Sequence, residues 1–269
     1  MTAVSHRDLV LDVTGLSKTF HSRTGGPRTA LRDVSFSIER GSSLAMVGES
    51  GSGKTTAARI VSGLETASAG TVDLIDHLSA STPPSAGVVG RGVQMVFQDP
   101  YSSLDPRQAI GSGLHELLKI HGMRRRAERA ARVTQLLESV GLDDRHAAQY
   151  PASLSGGQRQ RAAIARALAL EPALLILDEA VSALDVSVQA QVLNLLADIR
   201  EQTEISYLFV SHDLGVVRQV SDTCIVLHDG RLVETGRTAD ILDAPQEAYT
   251  QALLDAVPRP GWRPQRRTP

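Results

Sequence analysis

The chain has 269 residues, of which 42% are hydrophobic, and a formal net charge of −2 at pH 7. This length allows a large buried core, and the near-neutral charge argues against a nucleic-acid partner. The single cysteine, Cys224, excludes an internal disulfide and an iron–sulfur cluster held by this chain. The most apolar stretch, 168–177, is interrupted by Glu171 and Pro172 and is too short to cross a bilayer.

Strand and helix patterns alternate along the chain. Short apolar or alternating runs predict strands at 9–13, 34–38, 43–47, 71–75, 93–97, 174–177 and 206–210. Helical patterns are found at 54–63, 110–121, 126–140, 158–170, 188–199 and 240–256. The Asp229-Gly230 pair predicts a hairpin turn. This alternation predicts an α/β fold with a mostly parallel sheet, a surface loop at 79–92 and a disordered tail at 258–269.

The segment 48–56, GESGSGKTT, matches the phosphate-loop pattern G-x-x-x-x-G-K-[ST]. Its glycines let the backbone curl around phosphate oxygens, and the following helix offers N–H groups to an anion. Lys54 would bridge the β- and γ-phosphates of ATP, and the Thr55 hydroxyl would bind Mg²⁺. The residues that we predict to bind ATP are Gly48, Glu49, Ser50, Gly51, Ser52, Gly53, Lys54, Thr55 and Thr56.

A pair of carboxylates follows the apolar run 174–177. A strand buried on both faces ends at the sheet edge where ligands bind, so Asp178 and Glu179 are expected beside the phosphate loop. We predict that Asp178 holds Mg²⁺ through water and that Glu179 orients or deprotonates the attacking water. By itself the pair would better fit a helix cap after a core strand. Beside an intact phosphate loop it favours hydrolysis.

A third motif, LSGGQ, lies at 154–158 between these two. The order GESGSGKT, Gln98, LSGGQ, LLILDE, ALD at 183–185 and His212 resembles the ATP-binding cassette (ABC) ATPases over residues 9–245. Ser155 to Gly157 precede the helix predicted at 158–170, and we expect its N-terminal N–H groups to be bare. Alone, this segment would fit an ordinary helix cap.

The ABC resemblance implies a P-loop NTPase (RecA-like) core with a mostly parallel sheet, an N-terminal antiparallel β subdomain and an inserted helical subdomain. The cassette would span 8–257, with the helical subdomain and its signature motif at about 103–170. Two chains would enclose two ATP molecules head to tail, each triphosphate being capped by the partner's signature residues, Ser155, Gly156, Gly157 and Gln158.

The resemblance also implies roles for four single residues. Gln98 would contact Mg²⁺ and the attacking water, and His212 would contact the γ-phosphate. Asp185 would lie at the dimer interface. Phe20 would stack on adenine, although a core phenylalanine is nearly as good an explanation.

A narrower resemblance comes from VFQDPYSSLDPR at 96–107 and VSALDVSVQAQVLNLL at 181–196. These segments look like ATPase subunits of dipeptide and oligopeptide importers, with nickel importers close by. The segment 245–258 is similar to the start of that subfamily's C-terminal extension. The chain stops before the cysteine-bearing part of that extension, so we expect no iron–sulfur cluster.

The importer resemblance implies a peripheral location on the cytoplasmic face of the plasma membrane. The expected partners are a second ATPase subunit, identical or not, two transmembrane permease subunits and, indirectly, an external substrate-binding protein. The surface at 98–107 would receive a coupling helix of the permease.

Other functions fit less well. A soluble ABC-type ATPase of DNA repair or chromosome organisation would carry long coiled coils, and no heptad run occurs here. A translation-associated relative would need two cassettes. A regulator that does not hydrolyse ATP is disfavoured by the intact Lys54, Gln98, Glu179 and His212.

Overall fold

The computed structural model describes residues 8–21, 26–75, 92–99 and 103–256. The tail predicted at 258–269 lies outside the described residues, as does nearly all of the loop predicted at 79–92. Within the described ranges, no helix is both long and apolar enough to span a membrane.

The described residues form nine strands and nine α-helices. The strands are β1 (Leu9–Phe20), β2 (Arg28–Glu39), β3 (Ser43–Val47), β4 (Ala69–Leu74), β5 (Val93–Val96), β6 (Leu174–Asp178), β7 (Ser206–Val210), β8 (Thr223–His228) and β9 (Arg231–Arg237). The helices are α1 (Lys54–Val61), α2 (Ile110–Ile120), α3 (Arg126–Ser139), α4 (Asp144–Ala147), α5 (Gly156–Leu168), α6 (Val186–Thr203), α7 (Leu214–Val220), α8 (Thr238–Asp243) and α9 (Ala248–Asp255).

The larger sheet has the strand order β5-β6-β7-β3-β8-β9. Its first five strands are parallel, and β9 pairs antiparallel with β8. The predicted hairpin turn joins β8 to β9, with φ of 46° at Asp229 and 76° at Gly230. Two consecutive positive φ angles match the tight hairpin turn that an Asp-Gly pair favours. The predicted mostly parallel α/β core is therefore confirmed.

The smaller sheet is antiparallel, with the order β2-β1-β4. Strands β1 and β2 are each 12 residues long, longer than the runs that predicted them. In β2, Val34, Phe36 and Ile38 are buried while the residues between them are exposed, as the alternating pattern predicted. This sheet is the expected antiparallel β subdomain.

Two hydrophobic cores lie on opposite faces of the larger sheet. Strand β6 contributes Leu175 and Leu177 to one core and Leu174 and Ile176 to the other. Because successive side chains of a strand point to opposite faces, a strand that contributes side chains to both cores must be apolar at every position. This explains the continuous apolar run that leads to Asp178.

Helices α2 to α5 form the inserted helical subdomain that the ABC resemblance implied. Leu114, Leu118, Leu136, Leu137 and Ile164 from three of these helices belong to the core that also contains Leu175 and Leu177. The helical subdomain is thus packed on one face of the larger sheet, on the side opposite to the core that β1 and β2 cover.

The structure corrects the helix predicted at 240–256. Two shorter helices, α8 and α9, occupy this region, and residues 244–247 separate them. Pro245 has no N–H to continue a helical ladder, and the Glu234 carboxylate instead accepts hydrogen bonds from the N–H groups of Gln246 (2.8 Å) and Glu247 (3.4 Å). Helix α7 was not predicted from the sequence; Asp213 caps it by accepting from the Gly215 and Val216 N–H groups.

Candidate functional site

The site residues come together because three neighbouring parallel strands end at one edge of the larger sheet. Strand β3 leads into the glycine loop at 48–53, β6 leads to Asp178 and Glu179, and β7 is followed by His212. Strand β7 lies between β3 and β6. The predicted phosphate loop and the predicted carboxylates are therefore placed side by side at the carboxyl edge.

The glycine loop has backbone angles that side chains rarely adopt. Gly48 has φ of 147° and Gly53 has φ of 106°. A Cβ atom at Gly48 would collide with the Leu227 carbonyl, and one at Gly53 would collide with the Ala30 carbonyl, whereas a Cβ at Gly51 would meet no atom within 4 Å. The loop is therefore tightly packed on its protein side and open at Gly51, as expected of a cradle for an anion.

Lys54, the first residue of α1, is held inside this loop. Its ammonium group donates to the carbonyl oxygens of Gly48 (2.8 Å) and Glu49 (2.9 Å), and the residue is only 5% exposed. Burial lowers the pKa of Lys54, and the negative charges of Glu179 and Asp178 oppose that shift. A buried ammonium ion that lacks a full counter-charge is a favourable place for phosphate oxygens.

Thr55 and Asp178 connect the glycine loop to the end of β6. The Thr55 hydroxyl donates to the Asp178 carboxylate at 3.3 Å. Burial raises the pKa of Asp178, and the charge on Glu179 raises it further, while the Thr55 hydrogen bond and the cations Arg59 and Lys54 lower it. A hydroxyl beside a buried carboxylate is an oxygen donor set that suits Mg²⁺.

Glu179 lies next to His212 at the mouth of the site. The Nδ1 atom of His212 is 3.1 Å from Oε1 of Glu179, and the His212 side chain is 61% exposed. Glu179 has φ of 50°, and its N–H donates to the Val210 carbonyl at 2.9 Å. A left-handed backbone at a residue other than glycine is a typical feature of functional sites. It turns Glu179 out of the direction of β6.

Gln98 is linked to the backbone of Glu179 through the Ser182 hydroxyl. Its amide donates to the Ser182 hydroxyl at 3.4 Å, and that hydroxyl donates to the Glu179 carbonyl at 2.9 Å. Gln98 is therefore connected to the segment that follows Asp178, and not directly to Thr55.

Phe20 lies at the end of β1 on the wall of a cleft of about 220 Å³. The same cleft is lined by Arg28, the glycine loop, the start of α1 and Glu179. Phe20 is 40% exposed, and the Lys18 ammonium lies 4.9 Å from the centre of its ring. The side chain is available to a flat ligand, and the alternative of a core phenylalanine does not hold.

The LSGGQ segment forms the N-terminus of α5, where the sequence predicted bare N–H groups. The helix begins at Gly156, and its N-terminus is not bare: the Ser155 hydroxyl accepts from the Gln158 N–H (3.3 Å), and the Gln158 amide oxygen accepts from the Ser155 N–H (2.9 Å). This capping box does not use the N–H groups of Gly156 and Gly157. Those two groups are the ones that an anion would contact.

Asp185 lies close to this segment in the same chain. It caps α6 by accepting from the Val188 N–H at 3.0 Å, and its carboxylate also accepts from the Ser187 hydroxyl at 2.7 Å. A Cβ atom at Gly157 would collide with the Val188 side chain. The glycine thus allows the N-termini of α5 and α6 to approach closely.

Sequence reasoning missed several residues of the site. Arg28 on the cleft wall and Arg59, whose charge acts on Asp178, carry no motif signal. Tyr249 on α9 accepts a hydrogen bond from the Glu49 N–H at 3.2 Å, although the two residues are 200 positions apart. Arg59 could have been proposed from its position on the helix that follows the phosphate loop. Nothing in the sequence places Tyr249 beside Glu49.

Comparison with known families gives two matches. Residues 31–182 match the ABC transporter family. Residues 233–268 match the C-terminal region of oligopeptide and dipeptide transporters.

Comparison with individual proteins agrees with these matches. A Brucella abortus (strain 2308) protein named "Putative peptide import ATP-binding protein" is 47% identical over 242 residues, which are 88% of this chain and 72% of that protein. The glutathione import ATP-binding protein GsiA of Escherichia coli (strain K12) is 46% identical over 93% of this chain and 41% of its own length. A dimeric ATP-binding cassette in a post-hydrolysis state, bound to ADP and Pi, superimposes with a TM-score of 0.71 and 27% identity, covering 85% of this chain and 98% of that one. With the phosphate loop, carboxylate pair and LSGGQ segment in place, the chain belongs to the ABC transporter family and is one of its ATP-hydrolysing subunits.

Proposed function

We propose that this chain hydrolyses ATP to drive a membrane importer of di- or oligopeptides. The observation that carries the ATPase chemistry is the cleft in which the phosphate loop, Glu179 and Phe20 meet. The import direction and the peptide class are supported by the names of the relatives and by the match of 233–268 to the oligopeptide/dipeptide transporter region. Nickel or another small solute is the alternative cargo for the same motor.

ATP binding is assigned to the phosphate loop and to Phe20. The buried Lys54 ammonium donates to β- and γ-phosphate oxygens, and the N–H groups of 50–56 surround the phosphates. Burial disfavours the charged form of Lys54 in the free protein, and phosphate oxygens restore a counter-charge. Phe20 stacks on the adenine ring.

Thr55, Asp178 and Gln98 are the residues that would hold Mg²⁺, Asp178 through water. The fit is supported by the Thr55 hydroxyl and the Asp178 carboxylate, which lie 3.3 Å apart, and by the place of Thr55 in the lining of the cleft. When bound, Mg²⁺ neutralises the charge that develops on the phosphates. Asp178, whose pKa is raised by burial, is stabilised as a carboxylate by a neighbouring cation.

Glu179 is assigned as the general base. It takes a proton from water while the water oxygen attacks the γ-phosphorus, and the bond from that phosphorus to the β–γ bridging oxygen breaks to leave ADP. His212 lies 3.1 Å from the Glu179 carboxylate, which supports a role in orienting it and in contacting the γ-phosphate.

A second ATPase subunit completes the site. The partner's signature segment would cap the γ-phosphate with the N–H groups that correspond to Gly156 and Gly157, which the capping box does not use. Asp185, close to that segment and exposed, lies at the proposed dimer interface. The dimeric state of the solved cassette with ADP and Pi supports a pair of ATPase subunits.

The membrane subunits are proposed to dock on a groove of about 360 Å³ on the helical subdomain. Its walls include Leu104, Asp105, Leu117, Ile120 and Arg166, and Ile120 is 70% exposed. A group of apolar side chains in a groove, rimmed by charged ones, is typical of a protein-binding surface. Docking of one permease subunit there, and of the other on the second ATPase subunit, would place the chain on the cytoplasmic face of the plasma membrane, with an external binding protein delivering the peptide.

The catalytic assignment is tested with Glu179→Gln in the assembled complex. Removing the base should reduce ATP turnover at least about a hundredfold, while Mg-ATP still binds and holds the two ATPase subunits together on size-exclusion chromatography. The matched control is Glu201→Gln, an exposed residue of α6. Brisk hydrolysis by Glu179→Gln would remove the base assignment.

The transport assignment is tested by identifying the proteins that co-purify with the chain and by measuring peptide uptake. We expect two permease subunits to co-purify from detergent-solubilised membranes, and Ile120→Asp to reduce that recovery without changing ATP binding. Cells without the chain should lose uptake of a labelled tripeptide. Normal tripeptide uptake together with lost Ni²⁺ uptake would favour the alternative cargo.

A further inference from the structure

The C-terminal helix α9 contacts the phosphate loop directly. The Glu49 N–H donates to the Tyr249 hydroxyl at 3.2 Å. The carbonyl oxygen of the same residue accepts from the Lys54 ammonium at 2.9 Å. The peptide groups on both sides of Glu49 are thus held, one by the C-terminal helix and one by the lysine assigned to the phosphates.

The Tyr249 ring is held by a second contact. It stacks on His228, with ring centres 3.9 Å apart and an angle of 29° between the ring planes. His228 is the last residue of β8, and two residues later the Gly230 N–H donates to the Ser52 carbonyl at 3.1 Å. The β8–β9 hairpin and α9 therefore support the same loop from one side.

Helix α9 is itself fixed to β9. Glu234, which is 9% exposed, accepts from the backbone N–H groups of Gln246 and Glu247 just before the helix. Tyr249, Leu253 and Leu254 pack against the core on the helical-subdomain face of the sheet. A hydroxyl carried on an anchored helix can set the position of a loop, because its own displacement would break several other contacts.

We propose that Tyr249 is a positioning residue for nucleotide binding, through which β9 and α9 act on the phosphate loop. The inference rests on the proposed ATP binding at 48–56. The Tyr249 hydroxyl keeps the start of the phosphate loop in the conformation that presents Lys54 to the phosphates. By linkage, nucleotide binding in turn stabilises the docked position of α9.

The test is Tyr249→Phe, which keeps the ring and its stacking on His228 and removes only the hydrogen-bond acceptor. The Kd for Mg-ATP, measured by calorimetry on the full chain, should rise about two- to tenfold, as expected for the loss of one neutral hydrogen bond. Hydrogen exchange in a peptide containing residue 49 should become faster, while exchange in the rest of the chain stays unchanged. Tyr150→Phe, at an exposed tyrosine outside the cleft, is the matched control.

The Kd and the hydrogen exchange together separate a positioning role of Tyr249 from a general loss of stability. Weaker ATP binding with faster exchange confined to the loop supports the positioning role. An unchanged Kd with unchanged exchange overturns it, and so does weaker binding accompanied by a lower melting temperature and faster exchange throughout the chain. If the wild-type chain itself fails to bind Mg-ATP, the proposed function fails instead.

Discussion

Lys54 allows the sharpest test of the site, because its contacts give the size of the expected effect. In Lys54→Met the ammonium that donates to the Gly48 and Glu49 carbonyls is lost. The complex of the variant lacks the charged hydrogen bonds from the ammonium to the β- and γ-phosphate oxygens, and two such bonds at about 1.5–3 kcal/mol each amount to a loss of roughly 3–6 kcal/mol. At about 1.4 kcal/mol per tenfold change, the Kd for Mg-ATP should rise roughly 10² to 10⁴-fold.

The same substitution should leave the free protein folded. The two carbonyl groups lose a donor, but the variant no longer buries an ammonium ion, whose burial lowers the pKa of Lys54. We therefore expect the melting temperature without nucleotide to change by less than about 4 °C. Isothermal titration calorimetry measures the affinity, and Lys119→Met, at an exposed lysine of α2, is the control. A Kd that rises less than tenfold would refute the assignment of Lys54 to the phosphates.

Three further predictions concern stability and reactivity. Burial raises the pKa of Asp178, so the folded state disfavours its charged form, and Asp178→Asn should raise the free energy of unfolding at pH 7. Thermal melts at lower pH should show this gain in stability vanishing below about pH 4, because the carboxyl group is then protonated in the unfolded state as well. Burial raises the pKa of the Cys224 thiol to about 12, so a thiol reagent at pH 8 should label it only after unfolding, and rapid labelling of the native protein would contradict its burial. Ser155→Ala removes a helix cap and should lower the melting temperature by about 2–4 °C, as calorimetry can check, and no change would mean that the capping box with Gln158 contributes nothing.

The phosphate loop and the strand before Asp178 were predictable because their signals are local. A glycine loop between a strand and a helix has few alternative conformations, and four consecutive apolar residues indicate a strand that is covered on both faces. The Asp229-Gly230 hairpin was predicted for a similar reason, since each of these residues accepts a positive φ.

Two predictions failed, one because of a tertiary contact and one because a local signal was not used. The helix predicted at 240–256 is divided because Glu234, on another strand, binds the N–H groups of residues 246 and 247. The N-terminus of α5 is capped rather than bare, although Ser155 and Gln158 have the spacing of a capping box and could have indicated it.

The motifs of this chain were enough to identify its family and its ATPase chemistry, and to propose the residues that carry each part of that chemistry. They could do so because each motif is a short run whose backbone conformation depends mainly on its own residues. The tertiary structure decided which of these runs meet: β7 lies between β3 and β6, the Glu179 carboxylate faces His212, and Tyr249 reaches Glu49 across 200 positions. Such contacts depend on how strands are ordered and how helices pack, and both are settled by burial of the whole chain rather than by any single segment.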